Sequence, residues 1–142
     1  MSKCCEKYLN KVDCEKILRE FGFNITKTKV TILAEISKSV TPMSCTDLSK
    51  VVPNVNESTL FRNLKQFSDK GIINTVNLNE GYIRYEMVPN GHHHHYIKCN
   101  ICGNIDSIKL CKLNIFTEQL EDLGYKNISH NLEFFGVCKT CS

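Results

Sequence analysis

Two Cys-x-x-Cys pairs, Cys99/Cys102 and Cys138/Cys141, constrain the fold of this chain more than any other feature. Such a pair lets two thiolates from one turn face a common point, and four thiolates are a usual ligand set for a tetrahedral structural zinc ion. The 35 residues between the pairs (103 to 137) would then belong to a small domain closed by the ion. A piece of about 50 residues buries little core, so the ion would supply much of its stability.

A redox dithiol and two structural disulfides are the alternative interpretations of the pairs. A redox site is disfavoured because the chain carries no other oxidoreductase signal. Disulfides need an oxidising compartment, yet the first residues resemble no secretory signal and no stretch approaches 18 uninterrupted apolar residues. We therefore expect a cytoplasmic protein without a membrane partner, whose nine cysteines are metal ligands or thiols.

The net charge of +3 is concentrated in the first part of the chain. Residues 1–88 carry 13 Lys and Arg against 10 Asp and Glu, and residues 89–142 carry five of each, which together give the 18 and 15 of the whole chain. This distribution gives weak support to a nucleic-acid partner, since phosphate contacts need clustered positive charge. A solvated, slightly basic surface is the alternative.

Hydrophobic periodicity and helix-end signals predict four helices and then a β-hairpin before residue 88. The helices are predicted at residues 12–21, 26–42, 44–51 and 57–70, and the strands at 72–76 and 82–87. Ser44 and Asp47 form a capping-box pattern at the third helix. This order is that of a winged helix-turn-helix, with residues 57–70 as the recognition helix. Polar and aromatic side chains beside its apolar stripe could contact phosphates and bases, or form a solvated face: Thr59, Phe61, Arg62, Asn63, Lys65 and Gln66.

Val88-Pro89-Asn90-Gly91 interrupts the chain and predicts a hinge. We expect a DNA-binding domain at 1–87, a hinge at 88–91 and a metal-binding dimerisation domain at 92–142. In the last domain, strands are predicted at 96–99 and 105–110, an amphipathic helix at 113–123, and one or two strands within 125–137. The predicted fold class is α+β. An exposed sheet edge and an apolar helix suggest a partner subunit.

Four consecutive histidines, His92 to His95, lie between the predicted wing and Cys99. Together with Glu86, Asp106 and His130 they offer nitrogen and oxygen donors for iron(II), manganese(II) or zinc(II). In an extended segment His93 and His95 would face one side, and His92 and His94 the other. A solvated histidine-rich loop is the alternative, and Cys4, Cys5, Cys14, Cys45 and Cys111 form no pattern that indicates a site.

Several stretches together resemble the ferric uptake regulator family of metal-dependent transcription factors over nearly the whole chain. They are Gly22-Phe23-Asn24-Ile25-Thr26, Ser58-Thr59-Leu60-Phe61-Arg62-Asn63-Leu64, Arg84-Tyr85-Glu86, the histidines with Cys99-x-x-Cys102-Gly103, Ser129-His130, and Phe135-Gly136-Val137-Cys138-x-x-Cys141. The resemblance implies a homodimer, structural zinc on the four paired cysteines, and a regulatory metal whose binding favours the form that fits a palindromic operator.

Site residues follow from the resemblance by position. The candidate DNA-binding residues are Lys29, Ser58, Thr59, Phe61, Arg62 and Asn63. The candidate regulatory ligands, for Fe²⁺, Zn²⁺ or Mn²⁺, are Glu86, His93, His95 and Asp106, and His92, His94 and His130 are left for a further site.

This chain departs from the family pattern at several positions. Tyr96 replaces the histidine expected three residues before the first zinc cysteine, and Ser107 replaces an acidic ligand, with Asp106 adjacent. Pro42-Met43 stands where many members have a histidine, Thr28-Lys29 stands where the family has Gln-Arg or Pro-Arg, and Asn24 replaces a basic residue.

The predicted function is a non-enzymatic transcriptional repressor with a divalent metal, iron first, as co-repressor, and with no small-molecule substrate. A zinc uptake regulator and an iron-based peroxide sensor are alternatives within the family. A metal storage or delivery protein without specific DNA binding is an alternative of another class. A metallohydrolase is disfavoured because no nucleophile, general base or substrate pocket is indicated.

Overall fold

The computed structural model describes residues 9–87, 94–108 and 114–142. The chain divides into two compact units, Met1–His93 and His94–Ser142. The predicted hinge, 88–91, lies outside the described residues, as do His92 and His93, so the predicted domain boundaries stay a prediction. No helix in the described ranges has the length and apolarity needed to cross a bilayer.

The first unit is a winged helix-turn-helix, as predicted. Its described part contains α1 (Lys11–Glu20), α2 (Lys27–Lys38), β1 (Met43–Ser44), α3 (Cys45–Val51), α4 (Glu57–Asp69), β2 (Ile73–Val76) and β3 (Arg84–Met87). The antiparallel sheet has the order β1-β3-β2, with Tyr85 opposite both Met43 and Thr75. Strand β1 was not predicted, because two residues are too few to show an alternating pattern.

Each helix of this unit begins at a polar side chain that caps it. Asn10, Thr26, Ser44 and Asn56 each accept a hydrogen bond from the backbone N–H three residues later. At α3 the Asp47 carboxylate also accepts the Ser44 N–H, so the predicted capping box is confirmed. These bonds satisfy N–H groups that have no partner inside the helix.

Helix α2 ends earlier than predicted. The apolar run was expected to continue to Pro42, but Ser39 already has an extended backbone and Val40 is 81% exposed. The Ser39 hydroxyl donates to the Thr41 carbonyl at 2.7 Å, which stabilises the bend. Proline disfavours the helical conformation in the residue before it, so the helix cannot run up to Pro42. It stops earlier, and a short connection leads to β1.

Apolar residues from all four helices and from the sheet form the core of the first unit. Gly22, with a φ of +80°, lets the chain turn so that the Phe23 N–H reaches the Leu18 carbonyl at 2.9 Å. Phe23 then packs edge-to-face on Phe67 with ring centroids 5.3 Å apart. The buried core residues are Cys14, Leu18, Val30, Ile32, Leu33, Ile36, Leu48, Val52, Leu60, Leu64, Phe67, Ile72, Ile73 and Tyr85.

The second unit is a small α+β fold in its described part. It contains β4 (His95–Cys99), β5 (Ile105–Ile108), α5 (Asn114–Asp122) and β6 (Glu133–Gly136). Strand β4 is central, antiparallel to β5 and parallel to β6. The strand predicted within 125–137 is only four residues long, and Asn127 before it has a left-handed φ of 55°.

In the described part of the second unit few side chains are buried, while many apolar ones are exposed. Among the described residues His95, Tyr96 and Cys99 are buried. Exposed large apolar residues are Ile97, Ile101, Phe116, Leu120, Leu123, Tyr125, Phe134, Phe135 and Val137. So large an apolar surface on a small unit is typical of an interaction site.

Candidate metal centres and recognition helix

The four paired cysteines converge on one point in the second unit. The sulfur atoms of Cys99, Cys102, Cys138 and Cys141 all lie within 4.8 Å of one another. The Cys102 and Cys138 sulfurs are 3.7 Å apart, close to the separation of about 3.8 Å that follows from tetrahedral geometry and zinc–sulfur bonds of about 2.3 Å. All four are free thiols, far from the sulfur separation of about 2 Å in a disulfide. The donor set and its geometry therefore fit zinc.

Neighbouring strands bring the two pairs together. Cys99 is the last residue of β4 and lies opposite Gly136, the last residue of the parallel strand β6. Each strand leads into a tight turn: the Gly103 N–H donates to the Cys99 carbonyl, and the Cys141 N–H to the Cys138 carbonyl, both at 3.0 Å. Because parallel strands end at the same edge, both turns present sulfur at that edge.

Backbone N–H groups stabilise the thiolate form of one ligand in particular. The Cys99 sulfur accepts N–H bonds from Ile101 and Cys138, both at 3.4 Å. Backbone donors, with those of Cys102 and Cys138 first, lower the pKa of Cys99 to about 6. Hydrogen bonds with the sulfurs of Cys138 and Cys102 raise the pKa of Cys141 to about 12. Four adjacent thiolates thus need a cation to coexist, which is the role of zinc in such a cluster.

Two histidines meet in the second unit. The Nε2 atoms of His95 and His130 are 3.3 Å apart, and the ring centroids are 5.2 Å apart. The His95 Nδ1 lies 3.1 Å from the Leu132 carbonyl oxygen. A carbonyl can only accept, so Nδ1 carries the proton, and the Nε2 atom faces His130.

The spacing of these imidazoles suits two ligands of one metal ion. Two nitrogens at about 2.05 Å from a tetrahedral ion would be about 3.3 Å apart, which matches the His95 to His130 distance. A second hydrogen bond that fixes the tautomer, like that to Leu132, is usual for metal-binding histidines. The sequence assigned His95 and His130 to different sites, whereas the structure places them side by side.

The other predicted metal ligands are placed as follows. Glu86 is 7% exposed on β3 of the first unit. His94 is half-buried, with its ring 6.4 Å from that of Tyr96. Asp106 is exposed on β5, and its carboxylate accepts a 2.8 Å bond from Asn104. His92 and His93 lie outside the described residues, so a site that combines Glu86, His93, His95 and Asp106 stays a prediction.

Helix α4 exposes an aromatic and a cationic side chain side by side. Phe61 is 55% exposed although it is apolar, and Arg62 beside it is exposed. Ser58 is exposed one turn earlier, Thr59 is half-buried, and Lys29 is half-buried in the first turn of α2. The opposite face of α4 holds the helix in the core through Leu60, Leu64 and Phe67.

Asn63 does not lie on the exposed face of α4, contrary to its predicted placement, and its contact with DNA stays a prediction. It is 8% exposed, and its side-chain amide donates to the Thr59 carbonyl at 2.9 Å. At about 100° per residue, Asn63 lies only about 60° around the helix from Leu60, at the margin of the apolar stripe. No sequence signal indicated this bond or the backbone partners of Cys99 and His95.

Sequence and structure comparisons agree with this architecture. The sequence model of the Ferric uptake regulator family matches residues 15–135, which is most of the chain. The chain belongs to the ferric uptake regulator family. Family members are metal-responsive transcription regulators rather than enzymes.

Relatives of this ferric uptake regulator family protein are named for different signals. The peroxide-responsive repressor PerR of Staphylococcus aureus is 30% identical over 129 residues, covering 87% of this chain and 86% of the relative. The ferric uptake regulator of Francisella tularensis, solved with iron, has a TM-score of 0.70 and 29% identity, covering 85% of this chain and 96% of that one. A zinc-bound manganese uptake regulator has a TM-score of 0.66 and 25% identity, covering 88% and 98%.

Proposed function

We propose that this protein is a dimeric repressor that binds a palindromic DNA operator when a divalent metal, iron(II) first, occupies a regulatory site. The observation that carries the proposal is the exposed Phe61 and Arg62 pair on α4 of a winged helix. A buried stripe on the same helix anchors it, so these side chains are presented on a fixed support. Arginine suits guanine or phosphate, and an aromatic ring suits the thymine methyl group.

Metal ions have two separate roles in this proposal. The four-cysteine cluster holds structural zinc, since four protein ligands close the coordination sphere and leave no open position. The His95 and His130 pair contributes to a second metal site, because its nitrogen donors suit iron(II), manganese(II) and zinc(II). An ion that binds the DNA-competent form better shifts the population toward it.

Dimerisation is supported by the apolar surface of the second unit. On α5 Phe116 and Leu120, four residues apart, share one face and are 61% and 36% exposed. Covering such a face with a second copy of the chain would bury it in a two-fold interface. A dimer would also present two recognition helices to two half-sites, which is why a palindromic operator is expected.

Operator selection tests the proposal. Purified protein would be analysed for its metals and then used to select duplexes in chelator, iron(II), manganese(II) or zinc(II). We expect one zinc per chain that resists mild chelation, and a palindrome whose affinity rises with iron(II). Arg62→Ala should abolish specific binding, whereas Arg19→Ala, an exposed arginine on α1, should not. Metal-independent affinity, or no selected sequence, would refute the regulator hypothesis.

A peroxide sensor is the second candidate, favoured by the 30% identity to the peroxide-responsive repressor. In this version, iron held by histidines promotes oxidation of its own ligands by peroxide, and the protein releases DNA. Peroxide treatment of the iron form should then add the mass of oxygen to His95 or His130, while the zinc form is unchanged. Reversal by a thiol reductant would instead indicate cysteine oxidation.

A further inference from the structure

Arg84, at the start of β3, has an acceptor for each of its five guanidinium N–H groups. Its Nε and Nη2 donate to the two carboxylate oxygens of Glu80 at 2.7 and 3.0 Å. Its Nη1 donates to the Pro42 carbonyl at 3.2 Å and to Asp47 at 3.1 Å. Nη2 also donates to the Tyr82 hydroxyl at 3.2 Å, and the guanidinium lies 5.4 Å from the centroid of that ring. A guanidinium has five donors, so none remains for another acceptor.

The bonds of Arg84 connect three separate segments of the first unit. Glu80 and Tyr82 belong to the loop between β2 and β3, which is the wing of the winged helix. Asp47 belongs to the capping box that starts α3, and the same carboxylate oxygen accepts the Ser44 N–H at 3.0 Å. Pro42 lies just before β1. One side chain therefore joins the wing, the first turn of α3 and the connection after α2.

The ion pair between Arg84 and Glu80 is largely shielded from water. The side chains of Arg84 and Glu80 are 15% and 9% exposed, and their two-point contact is the strong, oriented form of an arginine ion pair. Around it the wing is a loop of permissive backbone, with left-handed φ values of 55° at Asn79 and 81° at Gly81. A loop of that kind needs side-chain contacts to hold one conformation.

We propose that Arg84 is a positioning residue for DNA recognition, which holds the wing and the start of α3 in the arrangement that DNA requires without touching DNA itself. The inference rests on the proposed function. Residues 77–83 contain no lysine or arginine, so Arg84 is the cation nearest to the wing along the sequence and would ordinarily be assigned to a phosphate. Its occupied donors argue against that assignment.

Helix α3 transmits the effect to the recognition helix. Leu48 of α3 and Leu60 and Leu64 of α4 are fully buried in one core. The Cys45 thiol at the start of α3 also approaches the Glu57 carbonyl at the start of α4, at 3.9 Å. Without Arg84 the wing would lose its bonds to the capped start of α3, and the cost of ordering the wing upon binding would weaken affinity.

The salt dependence of operator binding separates positioning from phosphate contact. We expect Arg84→Met to bind the selected operator about tenfold more weakly than the wild type, the size of effect that follows from losing charge-assisted bonds. The slope of log affinity against log salt concentration should not change. A residue that contacts a phosphate would instead lower that slope by about 0.9.

Neutralising the carboxylates that accept bonds from Arg84 gives a second test, in which positioning and electrostatics alone predict opposite changes in DNA affinity. Glu80→Gln and Asp47→Asn each make the protein more positive, so electrostatics alone predicts tighter DNA binding. A positioning role predicts binding that is about threefold weaker or more, because a neutral amide replaces the charged acceptor of the bonds from Arg84. Glu35→Gln is the matched control: it removes one carboxylate from an ion pair within α2, 2.9 Å from Lys38, and should not weaken binding.

Operator binding by the wild-type protein distinguishes a failure of this inference from a failure of the proposed function. If the wild type selects no operator, the proposed function fails; if it binds and Arg84→Met binds equally well, only the positioning inference fails. A reduced salt slope in Arg84→Met, or tighter binding by Glu80→Gln, would also overturn it. Should Arg84→Met fail to fold by circular dichroism, the two acceptor variants decide the question.

Discussion

The two units of the chain are stabilised in different ways. The first unit buries a continuous core in which Leu18, Leu48 and Phe67 are completely inaccessible to solvent. The second unit buries little in its described part and leaves Phe116 and Phe134 61% and 40% exposed. Burial of apolar side chains is thus sufficient to account for the first fold, whereas the second needs stabilisation from elsewhere. Its four converging cysteines and its apolar surface indicate where that stabilisation comes from.

Because of this difference, the two units should respond differently to the substitution of a side chain and to the loss of a metal ion. A core distributed over many side chains loses one contact at a time. A fold closed by one metal ion loses its closure when any ligand is lost. The first unit should therefore respond to substitutions in graded steps, and the second should respond to the metal in an all-or-none manner.

The largest expected effect is the loss of zinc. Cys138→Ser should remove a stabilisation on the order of 10 kcal/mol from the second unit and unfold it, while the first unit stays folded. Hydrogen exchange followed by mass spectrometry would show protection lost in residues 94–142 and kept in residues 9–87. Cys45→Ser, a thiol outside the cluster, is the control and should keep both zinc and protection. Equal loss in both units would contradict the contrast.

Truncating a core side chain of the first unit should destabilise that unit and leave zinc binding in the second unit intact. Phe67→Ala removes a fully buried ring that packs on Phe23, and should cost the first unit about 3–5 kcal/mol. Urea unfolding monitored by hydrogen exchange would show the loss in residues 9–87. Zinc content should stay that of the wild type, because the four cysteines of the cluster belong to the other unit. Loss of zinc in this variant would show that the units do not fold separately.

Self-association should depend on the exposed apolar surface of the second unit alone. Phe116→Glu places a charge on the apolar face of α5, and should weaken dimerisation by about 2 kcal/mol or roughly 30-fold. Sedimentation equilibrium measures this change directly. Val12→Glu is the matched control on α1 of the first unit, where the side chain is 71% exposed, and should leave the dimer intact. A wild-type monomer at all concentrations would refute the dimer.

The smallest effect concerns the pH dependence of the first unit. Burial opposes the shift, but hydrogen bonds from Ser44, with Arg84 and Lys50, hold the pKa of Asp47 below its ordinary value of 3.8. A lowered pKa stabilises the fold above pH 3.8, and this stabilisation is lost as the pH falls through the folded-state pKa. The carboxylate is 41% exposed, so water screens it and the contribution should stay below about 1 kcal/mol.

Comparison of Asp47→Asn with the wild type isolates this contribution. In the first unit, the free energies of unfolding of the two proteins should differ at pH 7 and converge at a pH below 3.8. The exposed pair of Lys65 and Asp69 offers a control, because both side chains are more than 60% exposed and Asp69→Asn should change little at either pH. A constant difference between wild type and Asp47→Asn across this range would contradict the assignment.

Local signals explain which parts of the fold were predictable. The capping box at Ser44, the glycine at position 22 and the apolar stripe of α4 each act within a few residues, so the sequence indicates them directly. Short strands were less predictable. Strand β1 exists because it pairs with β3, about 40 residues later in the chain, and nothing in its two residues reveals that partner.

The candidate sites divide in the same way. The cysteine spacing alone predicted which four side chains converge, and the structure brings their sulfurs within 4.8 Å. The histidine run did not reveal that His95 contacts His130, since 35 residues separate them and the contact depends on how His130 is carried beside β4. Asn63 was misjudged because the margin of the apolar stripe of α4 is buried in the folded unit. Arg84 was overlooked because Pro42 and Asp47, two of its partners, lie about 40 residues earlier in the chain.

The sequence by itself determined the family, the winged helix and the four cysteines that converge, since each depends on short motifs at fixed spacing. Only the tertiary structure decided that Asn63 is buried, that His95 and His130 are neighbours, and that Arg84 has no donor left for DNA. The physical reason is that motifs act through local geometry. The surroundings of a polar side chain depend on segments that meet only after folding.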